Sequence, residues 1–202
     1  MNTRLRDSLR RIAPLAWPVL VGQLSVVAFA TVDTLLVARH AQLDLAALAV
    51  GSAAYITVFI GLMGVVLAVG PIAGQLFGAG KLAAAGHQLQ QAVWLALALA
   101  VAGCTLLLFP WPFLALGQVS AELEPRVRGY LSALAFALPA GLLFAAYRGF
   151  NIAVSRPKAV RALQLGGLGL KIPLSIALVQ GVPALGLPAL GVVGCGIATA
   201  VA

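Results

Sequence analysis

Charge is scarce in this sequence. Five acidic and 13 basic side chains make up 9% of its 202 residues, where a soluble domain carries about 25%. So few charged groups could not cover a surface facing water, and a mean hydropathy of +1.05 makes lipid the solvent. Cysteine is nearly absent: Cys104 and Cys195 both fall inside apolar stretches, which speaks against a disulfide framework or thiolate metal site and for small packing residues. The two histidines, His40 and His87, sit in polar connecting stretches and read as loop residues, not ligands. With no nucleophile–base set, no metal-ligand spacing and no phosphate loop, neither a conventional enzyme nor a metal or organic cofactor is expected. Acid is scarcer than base, giving a net charge of +8. That excess does not point to nucleic acid, because the basic residues are dispersed between apolar segments and form no single basic face.

What is abundant is apolar, at 62%. A spanning helix needs about 20 predominantly apolar residues, and the chain divides accordingly. Residues 1–13 read as a basic, amphipathic approach to the membrane. Spans follow at about 14–37, 45–76, 92–109, 129–147, 162–180 and 190–202. The first apolar run is too long for a cleaved leader and lacks a small-residue cleavage site. The last is too short to cross by itself. The expected fold is an all-α membrane bundle of six transmembrane helices, the sixth truncated. Gly70, Gly74 and Gly78 recur at every fourth position of the second span and leave a smooth stripe for a neighbouring helix. Pro18, Pro139 and Pro173 lie inside the first, fourth and fifth spans, where a missing N–H bends a helix. Pro71 can kink the second in the same way.

Lysine and arginine set the orientation. With the N-terminus inside, inner segments hold Arg4, Arg6, Arg10, Arg11, Lys81, Arg148, Arg156, Lys158 and Arg161, and outer loops hold only Arg39, Arg126 and Arg128. The N-terminus is therefore expected in the cytoplasm, and Asp44, Glu122 and Glu124 outside.

Two charges remain within the apolar stretches: Asp33 in the first span and Lys171 in the fifth. Each costs about 2.5–3.5 kcal/mol at the centre of a helix in lipid, and facing one another they offset much of that. Asp33 lies 15 residues beyond Pro18, about 22 Å of helix. Lys171 lies 10 residues beyond Arg161, about 15 Å, and a long stem with helix tilt closes the difference. The competing readings place Asp33 at the outer headgroups and let Lys171 snorkel. Pro173 frees the carbonyl of Gly169, and irregular backbone at membrane depth is tolerated where it is packed in protein or lines a wet cavity. Gln23, Thr34 and Gln164 are the other polar residues placed to line such a cavity.

These residues carry a resemblance. Residues 15–34, LAWPVLVGQLSVVAFATVDT, resemble the first helix of the multidrug and toxic compound extrusion (MATE) transporters, including its proline and its Asp. Residues 71–81, PIAGQLFGAGK, resemble the end of that family's second helix and the following loop. Arg156-Pro157 and residues 191–200, GVVGCGIATA, are similar to further family stretches. The resemblance implies two six-helix lobes around a cavity, of which this chain is the N-terminal one with the C-terminal lobe missing. It also implies export of cationic or amphipathic small molecules by antiport against H⁺ or Na⁺, from a bacterial cytoplasmic membrane. Asp33 matches the family's first-helix acid, implicated in coupling. The fifth helix departs: where the family commonly has Asn-Ile-Pro with an acid four residues after the Asn, this chain has Lys171-Ile172-Pro173-Leu174-Ser175. Residues four apart share a helix face, so one surface has gained a cation and lost a carboxylate. The expected coupling set is thus Asp33, Lys171 and Ser175, with H⁺ preferred over Na⁺. A flippase for lipid-linked saccharides and a non-transporting membrane fragment are the alternatives.

Overall fold

The computed structural model describes residues 27, 30, 31, 33–39, 41–154, 157–181 and 189–201. Most of the first expected span lies outside these residues, and Pro18 and Gln23 with it. All described elements are helical. They are α1 (33–39), α2 (Gln42–Leu67), α3 (Val69–Gly78), α4 (Leu82–Leu108), α5 (Trp111–Leu116), α6 (Glu124–Ala153), α7 (Pro157–Gln180) and α8 (Gly191–Val201). Among the described residues, three helical stretches are long and apolar enough to cross a bilayer: Gln42–Gly78, Leu82–Leu108 and Glu124–Ala153. The count of six spans expected from the sequence is therefore represented by three such stretches, together with α7 and the 11-residue α8.

α6 is the central helix, packed against α4, α2, α8 and α3. The reason is in its spacing: Leu131, Leu134, Leu138 and Leu142 recur every third or fourth residue, and each is almost wholly buried. α4 offers a complementary row of small residues, with Ala92, Ala96, Ala100 and Gly103 all buried. In lipid the tails are as apolar as leucine, so close van der Waals contact drives helix association, and small residues permit it. A Cβ on Gly103 would lie 2.6 Å from Leu62 Cδ1 and 2.7 Å from Leu138 Cδ2; the two leucines occupy the room a side chain would take. The Gly70–Gly78 stripe is less uniform. A Cβ on Gly70 would lie 3.7 Å from the Gly149 carbonyl and one on Gly74 3.8 Å from Ala153 Cβ, whereas nothing lies within 4 Å at Gly78.

The prolines act differently from one another. The α2–α3 boundary falls at Ala68, three residues ahead of Pro71. Pro71 has no N–H for the Leu67 carbonyl, and the Ala68 N–H turns back to Val65 O at 3.3 Å. α6 and α7 instead continue through Pro139 and Pro173. In α6 the carbonyl that Pro139 leaves without its helical donor is that of Ala135, and Cys104 Sγ on α4 donates to it at 3.1 Å. A neighbouring helix thus satisfies the group freed by proline, as the absence of water in lipid requires. Cys104 does more than pack.

Two boundaries differ from the sequence expectation. α4 starts at Leu82, so His87, Gln88, Gln90 and Gln91 are helical, not loop, and His87 is exposed. α6 starts at Glu124, which makes Arg126 and Arg128 helical as well. Polar residues in these first turns reflect helices continuing past the apolar layer, where water and headgroups accept them; they do not mark where helix ends.

Candidate functional site

Asp33 is the buried polar residue of α1, 7% exposed. Its Oδ2 receives the Lys171 ammonium of α7 at 3.0 Å. The expected contact between the two apolar-stretch charges therefore exists. Helix spacing explains the α7 side: Gln164, Lys171 and Ser175 are seven and four residues apart, which puts them along one face. Gln164 is exposed and Ser175 is 1% exposed, so the polar line runs from an open position to a closed one with the ammonium between. Thr34, next to Asp33, is exposed, and its hydroxyl donates within its own helix to Ala30 O at 2.7 Å.

The surroundings of Asp33 come from three further helices. The Cys195 thiol of α8, 1% exposed, lies within the electrostatic reach of both the Asp33 carboxylate and Lys171. The Tyr130 phenol of α6 lies in the field of Asp33, of Cys195 and of Tyr55 on α2. Glycines hold Tyr130 in place. A Cβ on Gly51 of α2 would lie 2.5 Å from Tyr130 Cδ1, and one on Gly196 of α8 3.1 Å from Tyr130 Cδ2. The close approach of α8 to α7 needs a glycine too, because a Cβ on Gly194 would lie 2.4 Å from the Leu178 carbonyl oxygen.

Among the described residues, two buried polar atoms have no hydrogen-bond partner, Asp33 Oδ1 and Ser175 Oγ. An unsatisfied buried acceptor costs about 1–3 kcal/mol. Asp33 Oδ1 is thus an open acceptor beside an occupied Oδ2. Among the described residues, no cluster of three or more His, Cys, Asp or Glu could hold a metal ion.

A second ion pair lies at the end of the bundle where α2 and α6 begin. Arg126 Nη1 donates to Asp44 Oδ1, and the Asp44 side chain is 4% exposed. The sequence reading left both residues in outer loops. A charged residue among polar neighbours carries no sign of its partner, and only the shared end of the two helices reveals this one. Tyr130, Cys195 and Cys104 were likewise unreadable as contacts, since each sits in an apolar run where packing is the ordinary role.

Among the described residues, helices of bilayer length and apolar composition, with a buried ion pair joining α1 and α7, define a multi-pass membrane protein. The MatE family model matches residues 18–177, and the chain belongs to that family, as its first helix and its 71–81 stretch suggest. It is 47% identical over 186 residues to a protein of Aromatoleum aromaticum described as probable multidrug resistance protein NorM, covering 92% of this chain and 40% of that protein. It is 34% identical over 197 residues to multidrug resistance protein PmpM of Pseudomonas aeruginosa, covering 97% of this chain and 41% of the relative. A solved structure described as protein C matches with a TM-score of 0.68 and 32% identity over 93% of this chain and 40% of that one. The chain thus spans about 40% of the length of these relatives.

Proposed function

We propose that this chain forms one lobe of a secondary active multidrug exporter, coupled to inward movement of protons through Asp33. The observation that carries the reading is the buried Asp33–Lys171 pair with its unpartnered Oδ1. A carboxylate whose second oxygen is open and whose first already faces an ammonium suits reversible protonation better than Na⁺ coordination. Relatives described as multidrug resistance proteins support a multidrug cargo; the family resemblance implies cationic or amphipathic small molecules, and the exposed Thr34 and Gln164 are the polar positions suited to line their path. The polarity of the basic residues supports a cytoplasmic N-terminus in a bacterial inner membrane, which puts Asp33 in the outer half of the bilayer.

Expression in an efflux-deficient bacterium tests this. Cells producing the protein should extrude ethidium faster than vector controls and tolerate several-fold more of it. Asp33→Asn should return both to the control level at equal membrane abundance. Extrusion unaffected by Asp33→Asn would sink the coupling role, and no extrusion above control would sink the exporter reading for this chain.

A further inference from the structure

Charge is divided unevenly between the two ends of the bundle. Asp44, Glu122 and Glu124 lie where α2 and α6 begin, and Arg39, Arg126 and Arg128 lie with them. That end is balanced, with Arg126 paired to Asp44 and Arg128 to Glu124. The opposite end is not. The contacts of Gly70 with Gly149 and of Gly74 with Ala153 advance in step, so α3 and α6 run side by side in one direction and finish together at Gly78 and Ala153. Lys81 comes three residues after α3, and Pro157 opens α7 four residues after α6. Chain continuity therefore gathers Lys81, Arg148, Lys158 and Arg161 at this end, and among the described residues no acid accompanies them.

Helix stability does not call for these charges. Acids favour helix N-termini and cations favour C-termini. Here Lys81 directly precedes α4 and Lys158 is the second residue of α7, neither first turn contains an acid, and the last turn of α6 contains no basic residue. The setting is also amphipathic. Lys81 joins two stretches that are each long and apolar enough to cross a bilayer, which puts it at a membrane face. Exposed Phe77 and Leu82 flank it. Around the turn there is room, because a Cβ on Gly78 or Gly80 would meet nothing within 4 Å.

We propose that this end of the bundle binds an anionic phospholipid, whose phosphate is drawn to Lys81 and Arg148 within the field of the α7 cations and whose acyl chains lie along Phe77 and Leu82. Cations alone would suit any anion. Cations beside exposed apolar side chains at a membrane face suit one that carries its own hydrocarbon, and basic clusters between transmembrane helices hold such headgroups elsewhere. Each lysine or arginine near an anionic membrane surface contributes about a fivefold gain in affinity. A bound lipid also neutralises like charges that otherwise repel, so it stabilises the fold it binds. The site is independent of the exporter reading and of the Asp33–Lys171 pair.

The test is native mass spectrometry of the full chain, released from detergent after incubation with equal amounts of phosphatidylglycerol and phosphatidylcholine. Wild type should retain phosphatidylglycerol at least tenfold in preference. The double variant Lys81→Gln/Arg148→Gln should lose at least fivefold of that preference, and Lys81→Arg/Arg148→Lys should keep it. Arg39→Gln/Arg128→Gln makes the same change in net charge at the other end and should behave as wild type. Exposed Lys81→Gln alone, with a loss of about fivefold, decides the matter where the double variant does not fold. No preference for phosphatidylglycerol in wild type, or equal losses from neutralising either end, would overturn the proposal and leave the exporter reading untouched. Displacement of the lipid by millimolar inorganic phosphate would assign the site to a free anion and overturn the phospholipid assignment.

Discussion

Replacing Arg126 by Ala removes an ion-pair partner of the buried Asp44 carboxylate. The Asp44 side chain is 4% exposed and lies in the first turn of α2. Removing one partner of a buried ion pair costs about 3–5 kcal/mol. Two features lower that figure here. The first-turn amides of α2 favour a negative charge by about 0.3–1 kcal/mol, and the Arg126 side chain is 40% exposed, so water already screens part of the attraction. The expected destabilisation is about 2–3 kcal/mol on the same scale. Asp44→Asn should cost less, about 1 kcal/mol, because a half-exposed guanidinium turns to solvent. The double variant should be no less stable than Arg126→Ala alone, since the carboxylate that lost its guanidinium is then absent. Denaturation of detergent-solubilised protein with SDS, followed by tryptophan fluorescence, gives all four free energies. Additive effects, or a loss under about 0.5 kcal/mol for Arg126→Ala, would refute the view that Asp44 depends on this partner.

Three further outcomes follow from contacts elsewhere in the bundle. Cys104→Ala removes the donor to the Ala135 carbonyl and should cost about 1–3 kcal/mol in the same SDS titration; Pro139→Ala should rescue it, because an N–H returns to that carbonyl. Gly194→Ala places a methyl 2.4 Å from the Leu178 carbonyl oxygen, whereas Gly78→Ala meets nothing within 4 Å. Size-exclusion profiles should therefore show loss of monodisperse protein for the first and none for the second. Ser175→Ala deletes a buried hydroxyl without a partner, so stability should be unchanged or rise by a few tenths of a kcal/mol; a marked loss in the SDS titration would show that Oγ holds a group of its own.

The sequence made the Asp33–Lys171 contact readable for a physical reason: two charges in otherwise apolar runs are each expensive, and pairing is the cheapest remedy. The helical class and most of the apolar cores were readable from the length of those runs alone. The Asp44–Arg126 pair was not, because charges between spans have water as an alternative and imply no partner. Helix starts at Leu82 and Glu124 were also hidden, since hydropathy reports where lipid begins and a helix obeys no such limit. Cys104 and Cys195 looked like filling. Their contacts depend on which helix faces which, and spacing within one helix cannot give that; the one sequence cue for Cys104 was Pro139 on another span, whose freed carbonyl needed a donor from somewhere.

The most direct measurement of the central claim separates the two candidate ions. Everted membrane vesicles containing the protein are loaded with ethidium under an imposed pH gradient with no Na⁺, or under a Na⁺ gradient at equal pH on both sides. The buried Asp33–Lys171 pair predicts uptake driven by the pH gradient, abolished by Asp33→Asn, and no uptake from Na⁺ alone. Uptake driven by Na⁺ at constant pH, with the pH gradient ineffective, would contradict the assignment of Asp33 as a proton-coupling acid held beside a built-in cation.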